Sequence, residues 1–236
     1  MTARTQLRLL SGGAAQALVK ALAAPFGTET GCQVEGTFGA VGAMKDALLG
    51  GAPADLLILT AQGIAELTQA GHVVAGSAVD IGAVPTGVAV RSGAAAPPIG
   101  DGASLAAALR GADSIYFPDP TRATAGIHFA RVLEALGLRG ELAPRLRPYP
   151  NGHAAMGAMA ALRGGHPIGC TQVTEILATR GVALIGPLPR PFELVTTYTL
   201  GICTQARSRD LAERFAALLS GKSTREVRES LGFSPL

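Results

Sequence analysis

Two kinds of position in this chain are equipped for chemistry: hydroxyl or glycine residues closing apolar runs, and a few isolated acid–base groups. Ser11, Gly12 and Gly13 end the run "QLRLL" and open a helical stretch. Main-chain N–H groups at a helix start lack an intrahelical acceptor and favour an anion, and glycine lets that anion approach closely. The same residues also suit a plain turn in which Ser11 caps the helix. Thr37 and Gly39 repeat the pattern at the end of "CQVEGTF", and Thr121, Arg122 and Thr124 repeat it after Asp119–Pro120. Each accommodates either a bound anion or an ordinary cap. Arg122 is either a two-pronged donor to a carboxylate or a solvated surface arginine.

Among acid–base groups, His153 follows an Asn-Gly pair near a helix start, as a cap or as a donor and base near neutral pH. Glu175, in "TQVTEIL", is either a buried acceptor, an acid–base group with a raised pKa, or a solvent-facing helix residue. His72 and His166 read as loop residues, and His128 lies on a helix one turn beyond Thr124. No two histidines are four residues apart and there is no cysteine–histidine cluster, so no metal site is expected. "GxGxxG", "GxxxxGK[ST]" and "GxSxG" patterns are absent, so no nucleotide cofactor or serine nucleophile is expected either.

Strand-like and helix-like runs alternate, and this alternation must place those residues. "QLRLL", "CQVEGTF" and "ADLLILT" predict strands, each followed by a helix; Leu18, Leu22 and Phe26 share one face of the first. The near-continuous apolar run "ADLLILT" predicts a central strand covered on both sides. A second α/β series follows, through "VPTGVAV", "SIYF", "TAGIHFARVLEALG", "IGCTQVTEIL" and "GVALIG". "ELVTTYTLGICTQA" then predicts a long strand, and a helical tail starts near Arg209. Ligands of open α/β sheets sit where strands pass into helices, which is where the hydroxyl and glycine turns fall. No polar linker divides the two series and "DIGAVPTGVAV" runs between them as strand, which favours interleaved lobes over tandem domains. No internal repeat is visible.

The 236 residues suffice for two units of about 100 residues each, and 48% hydrophobic content excludes global disorder. A net charge of +3 with scattered basic residues and 4% aromatics argues against nucleic acid. Cys32, Cys170 and Cys203 each lie in apolar surroundings, an odd count without framework spacing that suits a reducing compartment. The opening "MTARTQLRLLSGG" is too short in apolar residues for a signal-peptide core, and no run reaches the ~18 residues of a membrane span. A cytoplasmic location is therefore expected, and nothing points to a particular oligomeric state.

"SGG" after the first strand, "GAPADLLILT", "FPDPTRATAG" and the terminal "LGFSPL" resemble the molybdate-type (type II) periplasmic binding proteins over essentially the whole chain. The resemblance implies an α/β fold of two lobes, each a mixed sheet flanked by helices, with a cleft between them. The lobes would be 1–82 plus 200–236 and 83–199, with hinge crossings near 80–87 and 186–200. It implies anion-binding loops at Ser11–Gly13, at Thr37, Gly39 and Ala40, and at Thr121–Ala125, with Gln172–Thr174 as a fourth contact. Two departures stand out: "TFGAVG" replaces the family's serine-rich second loop, and Arg122 puts a charge where such carriers use neutral donors. An aconitate isomerase also resembles this family. Two functions are thus expected to compete: binding of a small oxyanion or di- or tricarboxylate, or isomerisation of an unsaturated polycarboxylate with His153 or Glu175 moving the proton.

Overall fold

The computed structural model describes residues 5–236. The first half of the chain forms β1 (Gln6–Gly12), α1 (Gln16–Thr30), β2 (Gln33–Gly39), α2 (Val41–Leu49), β3 (Leu56–Thr60), α3 (Ala61–Gln69), β4 (Val79–Arg91) and α4 (Gly102–Gly111). Then come β5 (Ile115–Pro118), α5 (Thr124–Ala135), α6 (Arg139–Leu142), β6 (Leu146–Tyr149), α7 (Gly152–Ala160), β7 (Ile168–Gln172), α8 (Val173–Leu177) and β8 (Val182–Pro187). The chain ends with β9 (Val195–Ile202), α9 (Arg209–Ser220) and α10 (Arg225–Ser230). It divides into two compact units: unit 1 runs to Ala83 and resumes from Thr197 to Leu236, and unit 2 is Val84–Thr196. β4 carries the chain out of unit 1 and β9 carries it back.

In unit 1, β1 lies between β2 and β3 and is parallel to both, and β9 joins the far side of β3 antiparallel. Leu56, Leu57, Ile58 and Leu59 of β3 are fully buried, as a strand between two neighbours with helices on both faces must be. Leu57 and Leu59 pack with Ile64 and Leu67 of α3 and Met44 of α2. Leu18, Leu22 and Phe26 line the buried face of α1. That helix runs on past Pro25 and stops at Gly31, whose φ of 71° suits glycine and whose N–H donates to Gly27 O at 2.9 Å. Phe26 meets Phe215 of α9 with ring centroids 4.8 Å apart. Phe215 is completely buried, so Phe215→Ala should lower the unfolding free energy by about 3–5 kcal/mol, read from urea denaturation.

Unit 2 repeats this plan. β5 lies between β6 and β7, parallel to both, and β4 joins β7 antiparallel, with β8 on its outer side. β5, β6 and β7 thus correspond to β1, β2 and β3, and β4 to β9, a repeat of topology rather than of residues. Alternate side chains of β5 serve two cores: Ile115 and Phe117 pack with Leu105, Leu109 and Phe129, whereas Tyr116 packs with Met156, Met159 and Ile176. Tyr116 also stacks on Tyr149, 5.9 Å between centroids. β6 and the short α6 went unseen in the sequence.

Candidate functional site

At the C-terminal edge of unit 1's parallel strands, register sets the geometry: Gly12 of β1 pairs with Gly39 of β2, and Ser11 with Ile58 of β3. Each strand turns at once into a helix, so three helix starts stand side by side. The start of α3 is closed by its own cap, Thr60 Oγ1 accepting the Gly63 N–H at 3.1 Å. The 3₁₀ turn Gly13–Ala15 that leads into α1, and α2 itself, have no side-chain cap; Gly12 and Ala40 stand at their cap positions. Ser11 is fully buried and its hydroxyl donates to Gly12 O at 2.8 Å, so it does not cap the helix. Packing is tight here: a Cβ on Gly12 would press on Val41 at 3.1 Å and Tyr198 at 3.2 Å, whereas one on Gly39 would meet only the flexible end of Met44, Cε at 2.8 Å.

Thr37 is a correction. β2 continues as strand to Gly39, which leaves Thr37 exposed on an edge strand opposite Leu10, and the cap position falls to Ala40.

In unit 2, β5, β6 and β7 lead into α5, α7 and α8. Asp119 shapes the entry to α5: its Oδ1 accepts the Thr121 N–H (2.7 Å), the Thr121 hydroxyl (2.7 Å) and the Arg122 N–H (3.1 Å). The Thr121 hydroxyl, foremost, holds the Asp119 carboxyl below its usual range. Contrary to the expectation from sequence, both donors of Thr121 are committed to Asp119 rather than left for a ligand. The exposed Arg122 shares this turn through its main chain. The cap position of α5 is Ala123, without a side-chain cap, and the first helical bond is Ile127 N–H to Ala123 O at 2.8 Å. The N–H groups of Thr124, Ala125 and Gly126 therefore head the helix without intrahelical acceptors, with Thr124 half-buried among them.

At α8 the cap position is Gln172, again with no side-chain cap bond. Gln172 is buried, and its amide nitrogen, turned toward β4, donates to Val84 O (3.2 Å) and Pro85 O (3.3 Å). Its side chain thus braces β4, near the boundary of unit 2. Thr174 Oγ1 is buried with no hydrogen-bond partner, and so is Oγ1 of Thr86, which lies opposite Gln172 in the β4–β7 register. Buried hydroxyls without partners are costly, and that of Thr174, at a strand–helix turn, points to a ligand or water that completes it. Thr86 escaped sequence reading because threonine in a strand reads as a β-former.

The start of α7 is different. Asn151 caps it by accepting the Ala154 N–H at 2.8 Å. The Glu175 carboxyl takes the N–H groups of His153, Gln172 and Gly152 together with the Thr171 hydroxyl at 2.5 Å. A built-in carboxyl group therefore fills this helix start. Burial, the largest influence, pushes the Glu175 pKa up despite these donors. Glu175 is buried rather than solvent-facing, and half-buried His153 sits beside it at the second position of α7. The other histidines are placed elsewhere: His128 Nε2 lies 2.7 Å from Phe192 O and must donate to it, and the His166 N–H donates to Asp113 at 2.6 Å.

These strand–helix turns lie in two α/β units joined by two chain crossings. The chain belongs to the bacterial extracellular solute-binding proteins, whose family model matches residues 7–234. Its fold is that of the two-lobed periplasmic binding proteins. It is similar to the Azotobacter vinelandii periplasmic molybdate-binding protein, with TM-score 0.80, 19% identity and coverage of 98% of this chain and 99% of that one. A sulfate-binding protein of Mycobacterium tuberculosis gives TM-score 0.73 at 18% identity, covering 98% and 87%. An aconitate isomerase of a Pseudomonas species is 25% identical over 240 residues, 98% of this chain and 88% of that protein. Among the described residues, no helix is long and apolar enough to cross a membrane, and no cluster of three metal-ligating side chains occurs.

Proposed function

We propose that the chain binds a small oxyanion or a di- or tricarboxylate at its uncapped helix starts. The ligand would use the helix starts after β1, β2 and β5 and the hydroxyl of Thr174. One observation carries this reading. α3, α4 and α7 carry side-chain caps, whereas the starts after β1, β2, β5 and β7 leave their donors to another partner. The molybdate- and sulfate-binding neighbours support anions as the ligand class. Calorimetry against molybdate, sulfate, phosphate and a series of di- and tricarboxylates tests it, and folded protein that binds none of them rejects it. Thr124→Ala should weaken the anion that does bind by about fivefold, the worth of one hydrogen bond.

A second reading is an isomerase of an unsaturated polycarboxylate. It is favoured by the aconitate isomerase relative and by the placing of His153 beside a buried carboxyl whose pKa is raised. A base would remove the acidic proton next to a carboxylate, helix-start donors would hold the developing enolate charge, and a proton would return at the far allylic carbon. Deuterium entering aconitate from D₂O, followed by NMR, is the expected result; no exchange across several tricarboxylates defeats it. Cytoplasmic retention is the matching proposal for location, supported by three buried free thiols; recovery of the protein from the exported fraction of its own cells would reject it.

A further inference from the structure

Unit 1 contains a second hollow, at the opposite ends of its strands from the helix starts described above. Its volume is about 280 Å³, and Arg8, Asp55, His72, Cys203 and Arg207 are among its lining residues. Asp55, 4% exposed, organises it: Oδ2 accepts the Arg8 N–H at 2.8 Å, and Oδ1 accepts the N–H groups of Arg207 (2.6 Å) and Ser208 (3.2 Å). The carboxylate is thereby spent on main-chain donors. It also fastens the beginning of β1 and the loop before α9 to one point, and both arginines border the same hollow.

The lining carries two positive charges, Arg8 and Arg207, against one negative, Asp55, a balance of +1 that favours an anion. The Arg8 guanidinium stands 4.0 Å from Glu35 and 3.4 Å from Gln6, so it is only partly engaged. The Arg207 guanidinium is exposed and has no side-chain partner among the described residues. Burial, with the charge of Asp55, pushes the Cys203 thiol up to about 12, so it adds no negative charge.

We propose that this hollow is a second anion site, separate from the helix-start site, that takes the phosphate group of a small organic phosphate between Arg8 and Arg207. Paired guanidinium forks suit phosphate oxygens, and the wall that includes Leu48, Leu49 and Ala52 accepts a short organic tail. The test is a ¹H–¹⁵N NMR titration of the full chain with inorganic phosphate and, separately, glycerol phosphate. Either probe should shift the amides of Arg8, His72, Gln205 and Arg207. The double variant Arg8→Gln/Arg207→Gln should weaken that response at least tenfold while leaving responses at Gly12, Gly39 and Thr124 unchanged. Asp55 holds main-chain groups, so both substitutions leave the local fold in place, which the same spectra verify. No response at these amides to either probe, or an undiminished response in the double variant, overturns the proposal without touching the helix-start reading.

Discussion

Gly126→Ala should unfold unit 2 or cost it about 3 kcal/mol or more, at or beyond the upper end of the usual penalty for overpacking. Gly126 is the third residue of α5 and lies directly over the end of β5. A Cβ there would collide with the carbonyl oxygens of both Pro118 and Asp119. These are backbone atoms, and the Asp119 carbonyl also accepts the Ala123 N–H at 3.1 Å, so neither can swing aside. The helix start must lift off the strand, taking the donors of Thr124 and Ala125 with it. Gly157 of α7 is the control: a Cβ there meets nothing within 4 Å, and the site is an exposed helix interior. Gly157→Ala should therefore stabilise by about 0.5–1 kcal/mol. Urea denaturation of the two variants in parallel gives the comparison; equal midpoints would refute the close approach of α5 to β5.

Removing the Glu175 carboxyl is the second change with a large expected effect. Glu175→Leu strands the N–H groups of Gly152, His153 and Gln172 and the Thr171 hydroxyl in a buried site, at about 1–3 kcal/mol for each unsatisfied group. Glu175→Gln keeps one acceptor oxygen and should cost less, and it separates charge from hydrogen bonding. Unfolded, Glu175 loses its proton near pH ~4.3; folded, burial keeps the proton to higher pH. Between those two points the folded chain binds more protons. The stability contributed by this group is therefore complete below the unfolded value and is lost as pH rises through the folded one. Unfolding free energies measured over a pH series should fall more steeply for the wild type than for Glu175→Gln. Parallel profiles would show that Glu175 titrates normally.

What the sequence made legible follows from which signals are local. β3 was readable because four consecutive buried residues need no partner information to declare a covered strand. β6, "LRPY", was not: it is an edge strand paired only with β5, half-exposed, with Arg147 and Pro148 at its centre. The repeated strand order of the two units was invisible because it lives in pairing, and pairing leaves no periodic trace in the residues. The turn glycines Gly12, Gly13 and Gly39 stood out for the same reason that β3 did. Thr37 was misplaced because a strand's end cannot be fixed to within two residues by composition, and the cap fell on Ala40. Thr121 was misjudged because the demand of Asp119 on its hydroxyl is a feature of the folded turn. The partnership of Glu175 with the start of α7 joins residues far apart in the chain, so neither half announces the other.

The way unit 2 interrupts unit 1 has a consequence for synthesis on the ribosome. Val84–Thr196 is one uninterrupted segment, so that unit has all its strands apart from the tip of β9 before the rest of β9 emerges. Unit 1 must wait. Its most apolar strand, β3, presents an unpaired edge until β9 arrives to cover it. At ordinary translation speeds that edge stays open for on the order of ten seconds. The nascent chain is thus most vulnerable to aggregation at β3 during this interval, and a chaperone that shields "LLILT" would act there first.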